Sequence, residues 1–169
     1  MADPAKPKQS RKRQPRRTPR EEFCQYIIQI ASWGWSYSFS LNSQSRAIDP
    51  YDEFRHLRIT GNLLRPTSQK TNKVELTLIP RADTNEDRRI DHKPISVGFL
   101  QIHGDRIVGL ISIPMDALAP ILSMMVGDRF KFVTTGGTKF WHRKSRLHSL
   151  QLEMNLEEEN MPPADDELS

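Results

Sequence analysis

Cysteine is nearly absent: Cys24 is the only one in 169 residues. A lone thiol forms no intramolecular disulfide and falls short of the roughly four ligands of a structural zinc site, which excludes disulfide scaffolds and cysteine-rich zinc modules. Its expected role is that of a small apolar side chain. The composition suits a reducing compartment, the cytoplasm or, if the source is eukaryotic, the nucleus. Long apolar runs are missing too. The best, "ISVGFLQI" and "IVGLISI", are strand-sized, well short of the roughly 18 residues of a membrane helix, so no membrane insertion is expected. Repeats at a solenoid period are lacking. So are the spacings of a nucleophile elbow, a phosphate-cradling glycine loop, a paired-histidine metalloprotease site or a dinucleotide fingerprint. No catalytic residue and no cofactor is therefore assigned, and the expected role is binding rather than catalysis.

One stretch lacks leucine, isoleucine, valine and aromatic residues altogether. Residues 6–20, "KPKQSRKRQPRRTPR", instead hold Lys6, Lys8, Arg11, Lys12, Arg13, Arg16, Arg17 and Arg20, with Pro7, Pro15 and Pro19 between them. Ordering a backbone costs roughly 1–2 kcal/mol per residue, and this segment has no apolar surface with which to offset it. It is predicted to be a disordered arm spanning residues 1–20. A secretory signal needs an apolar core and a mitochondrial presequence an amphipathic helix, and this composition builds neither. What such an arm can do is contact phosphates of nucleic acid or another polyanion. The plainer alternatives are a solubilising tail and a nuclear address. Charge is divided unevenly: +7 over residues 1–20, +4 over 21–152 and −7 over 153–169. The chain is accordingly divided into a basic arm (1–20), a single β-rich domain (21–154) and a disordered acidic tail (155–169) that can compete for the basic arm over about a Debye length, ~8 Å at physiological salt.

The body reads as strands. In "WGWSYSFSL" the residues Trp33, Trp35, Tyr37, Phe39 and Leu41 alternate with glycine and serine, the pattern of a half-buried strand. The preceding "FCQYIIQI" fits either a helical face or the alternation Cys24, Tyr26, Ile28, Ile30. Its isoleucines and aromatics select the strand, and the parity change before Trp33 predicts a bulge eased by Gly34. "FRHLRITGNLL" and "KVELTLI" are one-sided strands, and the charged run over 81–94 is a loop. "ISVGFLQI" and "RIVGLISI" around "HGD" form a hairpin with apolar residues on both faces, each predicted to be covered twice. The cover expected is a helix over about 116–126, with Leu118, Ile121, Leu122 and Met125 at helical spacing, Pro120 in the first turn and Gly127 as a left-handed cap. "RFKFVTT", a Gly136–Gly137 turn and a strand-like run through "KFWHRKSRLHSLQLEM" complete the chain. The predicted fold is mainly β: a mostly antiparallel β-sandwich or open barrel of seven to eight strands with one inserted α-helix.

Three constellations in the body hold chemistry-bearing residues. Asp49, Asp52, Glu53 and His56 are potential ligands of a hard metal, but acids cluster before strands for turn reasons alone, and no metal is assigned. Thr134–Thr138, "TTGGT", reads as a tight hairpin turn sooner than as an anion nest. In "KFWHRKSRLH" the cations Lys139, Arg143, Lys144 and Arg146 interleave with Phe140 and Trp141, with Arg129 and Lys131 nearby. Cationic grooves with aromatic platforms hold single-stranded nucleic acid at ~1–3 kcal/mol per stacked base. The expected interface is therefore Arg11, Lys12, Arg13, Arg16, Arg17 and Arg20 of the arm together with Lys139, Trp141, Arg143, Lys144 and Arg146. A second expectation is a protein-interaction or structural subunit, in which a sheet edge or the Trp33 and Trp35 face meets a partner chain or a second copy.

If the arm contacts phosphates, deleting residues 1–20 should weaken oligonucleotide binding and flatten its salt dependence by about 0.9 log–log units per duplex phosphate released. Deleting residues 157–169 should tighten it. Filter-binding titrations at several salt concentrations decide, and an unchanged affinity and slope after the first deletion would dismiss the arm as a contact.

Overall fold

Alternation of apolar and polar residues produces eight strands in the computed structural model, which describes residues 22–41, 51–67, 69–81 and 96–157. The predicted basic arm and all but the start of the predicted acidic tail lie outside these residues, as does most of the loop predicted over 81–94. The strands are β1 (Phe23–Leu41), β2 (Tyr51–Arg65), β3 (Lys73–Arg81), β4 (Gly98–His103), β5 (Arg106–Pro114), β6 (Phe132–Thr138), β7 (Lys144–Leu147) and β8 (Gln151–Glu153). A 3-10 turn, Met115–Ala117, and one helix, α1 (Leu118–Val126), separate β5 from β6. All strands join one sheet in the order β1-β2-β3-β5-β4-β7-β6-β8, and β1 pairs with β6 as well. The extra pairing closes seven strands into a barrel, with β8 beside β7 on the same edge of β6. Neighbours are antiparallel except β3 and β5, which run parallel.

Register explains the core. Strand partners directly opposite each other share a face, so Trp35, Leu57, Leu78, Ile111, Gly98 and Leu147 form one inward layer around the barrel. Trp33, Ile59, Leu76, Gly109, Leu100 and Ser145 form the next. Leu57, Leu76, Leu78, Leu100, Ile107, Ile111 and Leu147 are fully buried, each contributing roughly 1.5–3 kcal/mol relative to exposure.

β1 takes the strand reading of "FCQYIIQI": Tyr26 and Ile28 are core residues, with Cys24 and Ile30 packed against them. The parity change occurs where predicted, but the register shifts between Ile30 and Ser32, at Ala31, while Gly34 pairs regularly with Arg58. A bulge needs one unpaired residue and no glycine. The prediction that "WGWSYSFSL" is half-buried holds only at its base. Trp33 and Trp35 are 37% and 38% exposed, and exposure rises to 75% at Leu41, because β1 and β2 run on past their neighbours.

α1 occupies the predicted span, with Leu118 and Met125 buried in the core. It therefore supplies the barrel interior and does not cover the outer face of the β4–β5 hairpin, where Phe99 stays 40% exposed. Gly127 has φ −73°, so it is not the left-handed cap predicted. Asp128 takes that conformation at φ 51°, its N–H donating to the Met125 carbonyl at 3.0 Å. Aspartate tolerates this region because its short polar chain bonds locally.

Gly136 and Gly137 are not a turn either. Both lie within β6, paired with Gln25 and Cys24. A Cβ at Gly137 would sit 2.2 Å from the Arg146 carbonyl oxygen, so glycine is required there by a backbone crossing. The strand-like run predicted after it is broken into β7 and β8. Gly137→Ala should lower the unfolding free energy by about 2–4 kcal/mol. Gly34→Ala, whose Cβ meets nothing within 4 Å, should change it by less than about 0.5 kcal/mol. Urea denaturation of the two variants makes the comparison.

Candidate nucleic-acid interface

The hairpin turn sits five residues beyond the glycines. Trp141 and Lys144 exchange backbone hydrogen bonds of 2.8 and 3.0 Å, and His142 and Arg143 between them have φ of 47° and 67°. Two successive left-handed residues make the type I′ connection that suits the twist of a hairpin, though Asn-Gly is its cheaper sequence. The Arg143 carbonyl accepts from the Ile102 N–H at 2.8 Å, fixing the turn to the end of β4.

From that anchor β7 alternates: Ser145 and Leu147 are buried, while Lys144 and Arg146 are exposed. Arg146 lies opposite Phe99, and Lys144 opposite Gln101 on one side and Trp141 on the other. Trp141, Lys144, Arg146 and Phe99 thus share the outer face, with Trp141 62% exposed and edge-on to His142 at 4.8 Å. A shallow groove of about 500 Å³ runs here, lined by Arg81, Ser96, Phe99, Gln101, Lys144 and Arg146.

The other predicted residues part company with this group. Lys139 pairs with Glu22 at 3.3 Å. Phe140 packs edge-on to Tyr26 at 5.4 Å, on the core side. Arg143 occupies the turn. Arg11, Lys12, Arg13, Arg16, Arg17 and Arg20 lie outside the described residues.

Phe99 and a wider set of cations escaped the sequence reading. Reading outward positions across the barrel gives Arg58 on β2, Lys73 and Arg81 on β3, Arg106 on β5, and Lys144 and Arg146 on β7. Over the described strands from Leu57 of β2 to β7, Glu75 is the only carboxylate pointing the same way, and Arg58 and Arg106 hold it at 3.3 and 3.4 Å. The signal was present in each strand as alternation, yet only the register sums it into one basic face.

No comparable focus exists for the other constellations. Register places Asp52 and His56 on one face of the β1–β2 pair and Glu53 on the opposite one, while Asp49 lies outside the described residues. Among the described residues no three His, Cys, Asp or Glu side chains gather as a metal site, and no helix is long and apolar enough to cross a membrane. Among the described residues the thiol and phenol that pack with the core are those of Cys24 and Tyr26. Burial pushes the Cys24 thiol up and the Tyr26 phenol up to about 12. The phenol donates to the Thr138 carbonyl at 2.7 Å, and the Ser145 hydroxyl donates to the same oxygen at 2.5 Å. Both shifts favour the neutral form.

The phenol pKa is raised above its unfolded value of 10.0, so its contribution is complete below that pH and is lost as pH climbs through about 12. Between pH 9 and 12 wild-type stability should fall by about 2 kcal/mol more than that of Tyr26→Phe. Denaturation midpoints from pH 9 to 12 measure the difference, and parallel curves would contradict it. Compared with known proteins, the chain matches no family model, no curated sequence and no solved structure.

Proposed function

We propose that the protein is a non-enzymatic nucleic-acid-binding module whose contact surface is the outer face of the barrel from β2 to β7. The carrying observation is the exposed Phe99 ring set in register beside Arg146, one row from Lys144 and Trp141, on a face with six cations and one paired carboxylate. Five strands side by side span about 19 Å, room for a strand of nucleic acid to cross several cations. The cations bind phosphate and release counterions, which supplies affinity without reading sequence. Phe99 and Trp141 offer rings on which bases stack, a contact available to every base. Residues 1–20 add a cationic tether to the same polyanion. This work belongs to a reducing compartment, the cytoplasm or the nucleus of a eukaryote.

Stacking and charge respond differently to salt, and that separates their roles. With a fluorescently labelled single-stranded oligonucleotide, Phe99→Ala should weaken binding roughly 5- to 100-fold and leave the salt slope unchanged. The pair Lys144→Gln and Arg146→Gln should weaken binding and flatten the slope by about 0.7 per lost phosphate contact. Wild-type affinity in both variants would overturn the assignment of this face.

A further inference from the structure

β1 and β2 continue beyond the barrel as a two-stranded ribbon, touched near its base by Met115, whose Sδ lies 3.7 Å from an Arg55 nitrogen. β6 accompanies β1 only over Phe23–Gln29, and β3 accompanies β2 only over Leu57–Asn62. Among the strands of the described residues, Ser36–Leu41 and Tyr51–His56 therefore pair only with each other, over about 20 Å. The ribbon is sharply two-sided. One face carries Ser36, Ser38 and Ser40 with Asp52, Phe54 and His56; the other carries Tyr37, Phe39 and Leu41 with Tyr51, Glu53 and Arg55, continuing the line of Trp33 and Trp35. On that second face Tyr37 is 53%, Phe39 58% and Tyr51 49% exposed. Two-stranded ribbons are marginal in water on their own, and one with a row of bare aromatics is built to be covered.

We propose that a second copy of this chain covers it, the two aromatic faces packing against each other about a two-fold axis. The remaining sequence offers no substitute: outside the described residues the only large apolar side chains are Met1, Ile48, Ile90, Ile95, Met161 and Leu168, scattered and without an aromatic. Nucleic acid fits this face poorly. Phe39 stacks on Tyr51 at 5.1 Å and 21°, and the Arg55 guanidinium lies 5.8 Å over the Tyr37 ring, so one π face of each ring is already taken within the chain. Arg55 is also paired with Glu53, leaving the face without net charge. A neutral face meets its own copy without like-charge repulsion, as an isologous contact requires.

The area is sufficient. At ~200 Å² for each fully exposed large side chain, Trp33, Trp35, Tyr37, Phe39, Leu41 and Tyr51 leave on the order of 600 Å² uncovered per chain. Two such faces together bury on the order of 1,200 Å², above the ~1,000 Å² expected of a specific interface.

Sedimentation velocity of the full chain from ~1 to ~100 μM, in low and high salt, tests this. The expected result is a dimer whose affinity is not reduced by salt. Tyr37→Ser, Phe39→Ser and Leu41→Ser combined should raise the dissociation constant at least ~100-fold, with the circular dichroism of the barrel retained. Should that variant misfold, Phe39→Glu alone should show the same dissociation. Ser38→Glu, on the opposite face, should leave the dimer intact. A wild-type chain monomeric at 100 μM overturns the proposal. So does a dimer that survives the aromatic-face variants, or an oligonucleotide complex of the monomer that those variants abolish.

Discussion

The pairing of β1 with β6 is the interaction on which the rest of the molecule depends. Without it the sheet would end in two edges, and Tyr26, Ile28 and Val133 would have no common interior. The pairing joins two segments more than a hundred residues apart in the chain. Its far end is tied by Tyr26, whose phenol reaches the Thr138 carbonyl, and is made possible by Gly136, which leaves room for the Phe23 ring, and Gly137, which lets the backbone of β7 come close. Closure fixes the register of every strand between, so it also decides which side chains face inward and which outward.

That division organises two surfaces of different chemistry. Around the barrel the inward layers take the leucines and isoleucines, and the outward positions of the same strands take the lysines and arginines. In the β1–β2 ribbon the apolar side of β1 has left the barrel, and what is core in Leu57 and Ile59 becomes bare aromatic surface in Tyr37 and Phe39. The basic face and the aromatic face are the outer and inner alternations of one sheet, the inner one carried past the end of its closure.

Much of the fold was legible because alternation is a local property. β3 announces itself in Val74, Leu76 and Leu78, and α1 in Leu118, Ile121, Leu122 and Met125; β5 was legible as a strand, but its Val108 and Leu110 hid which face is inward. What failed was whatever depends on a distant neighbour. Gly136 and Gly137 look like a turn because turns and close approaches ask the same of the backbone, and only the positions of Phe23 and Ser149 beside the first and of Arg146 beside the second tell them apart. His142 and Arg143 carry no turn signature, since the residues that make a type I′ turn cheap are absent. Of the candidate interface, Trp141, Lys144 and Arg146 were visible as a basic and aromatic run. Phe99 was read as part of a doubly covered strand, and Arg58, Lys73 and Arg106 were given no role.

Closure also has a consequence for how the chain is made. A ribosome releases β1 first, yet β6 follows only with residues 132–138, so β1 spends most of synthesis with one flank unsatisfied. Contacts of such high sequence separation are slow to form, and an open, hydrophobic strand flank is the kind of template on which neighbouring nascent chains associate. The serine-lined side of β1 and the charges along β2 oppose such association until the last quarter of the polypeptide arrives.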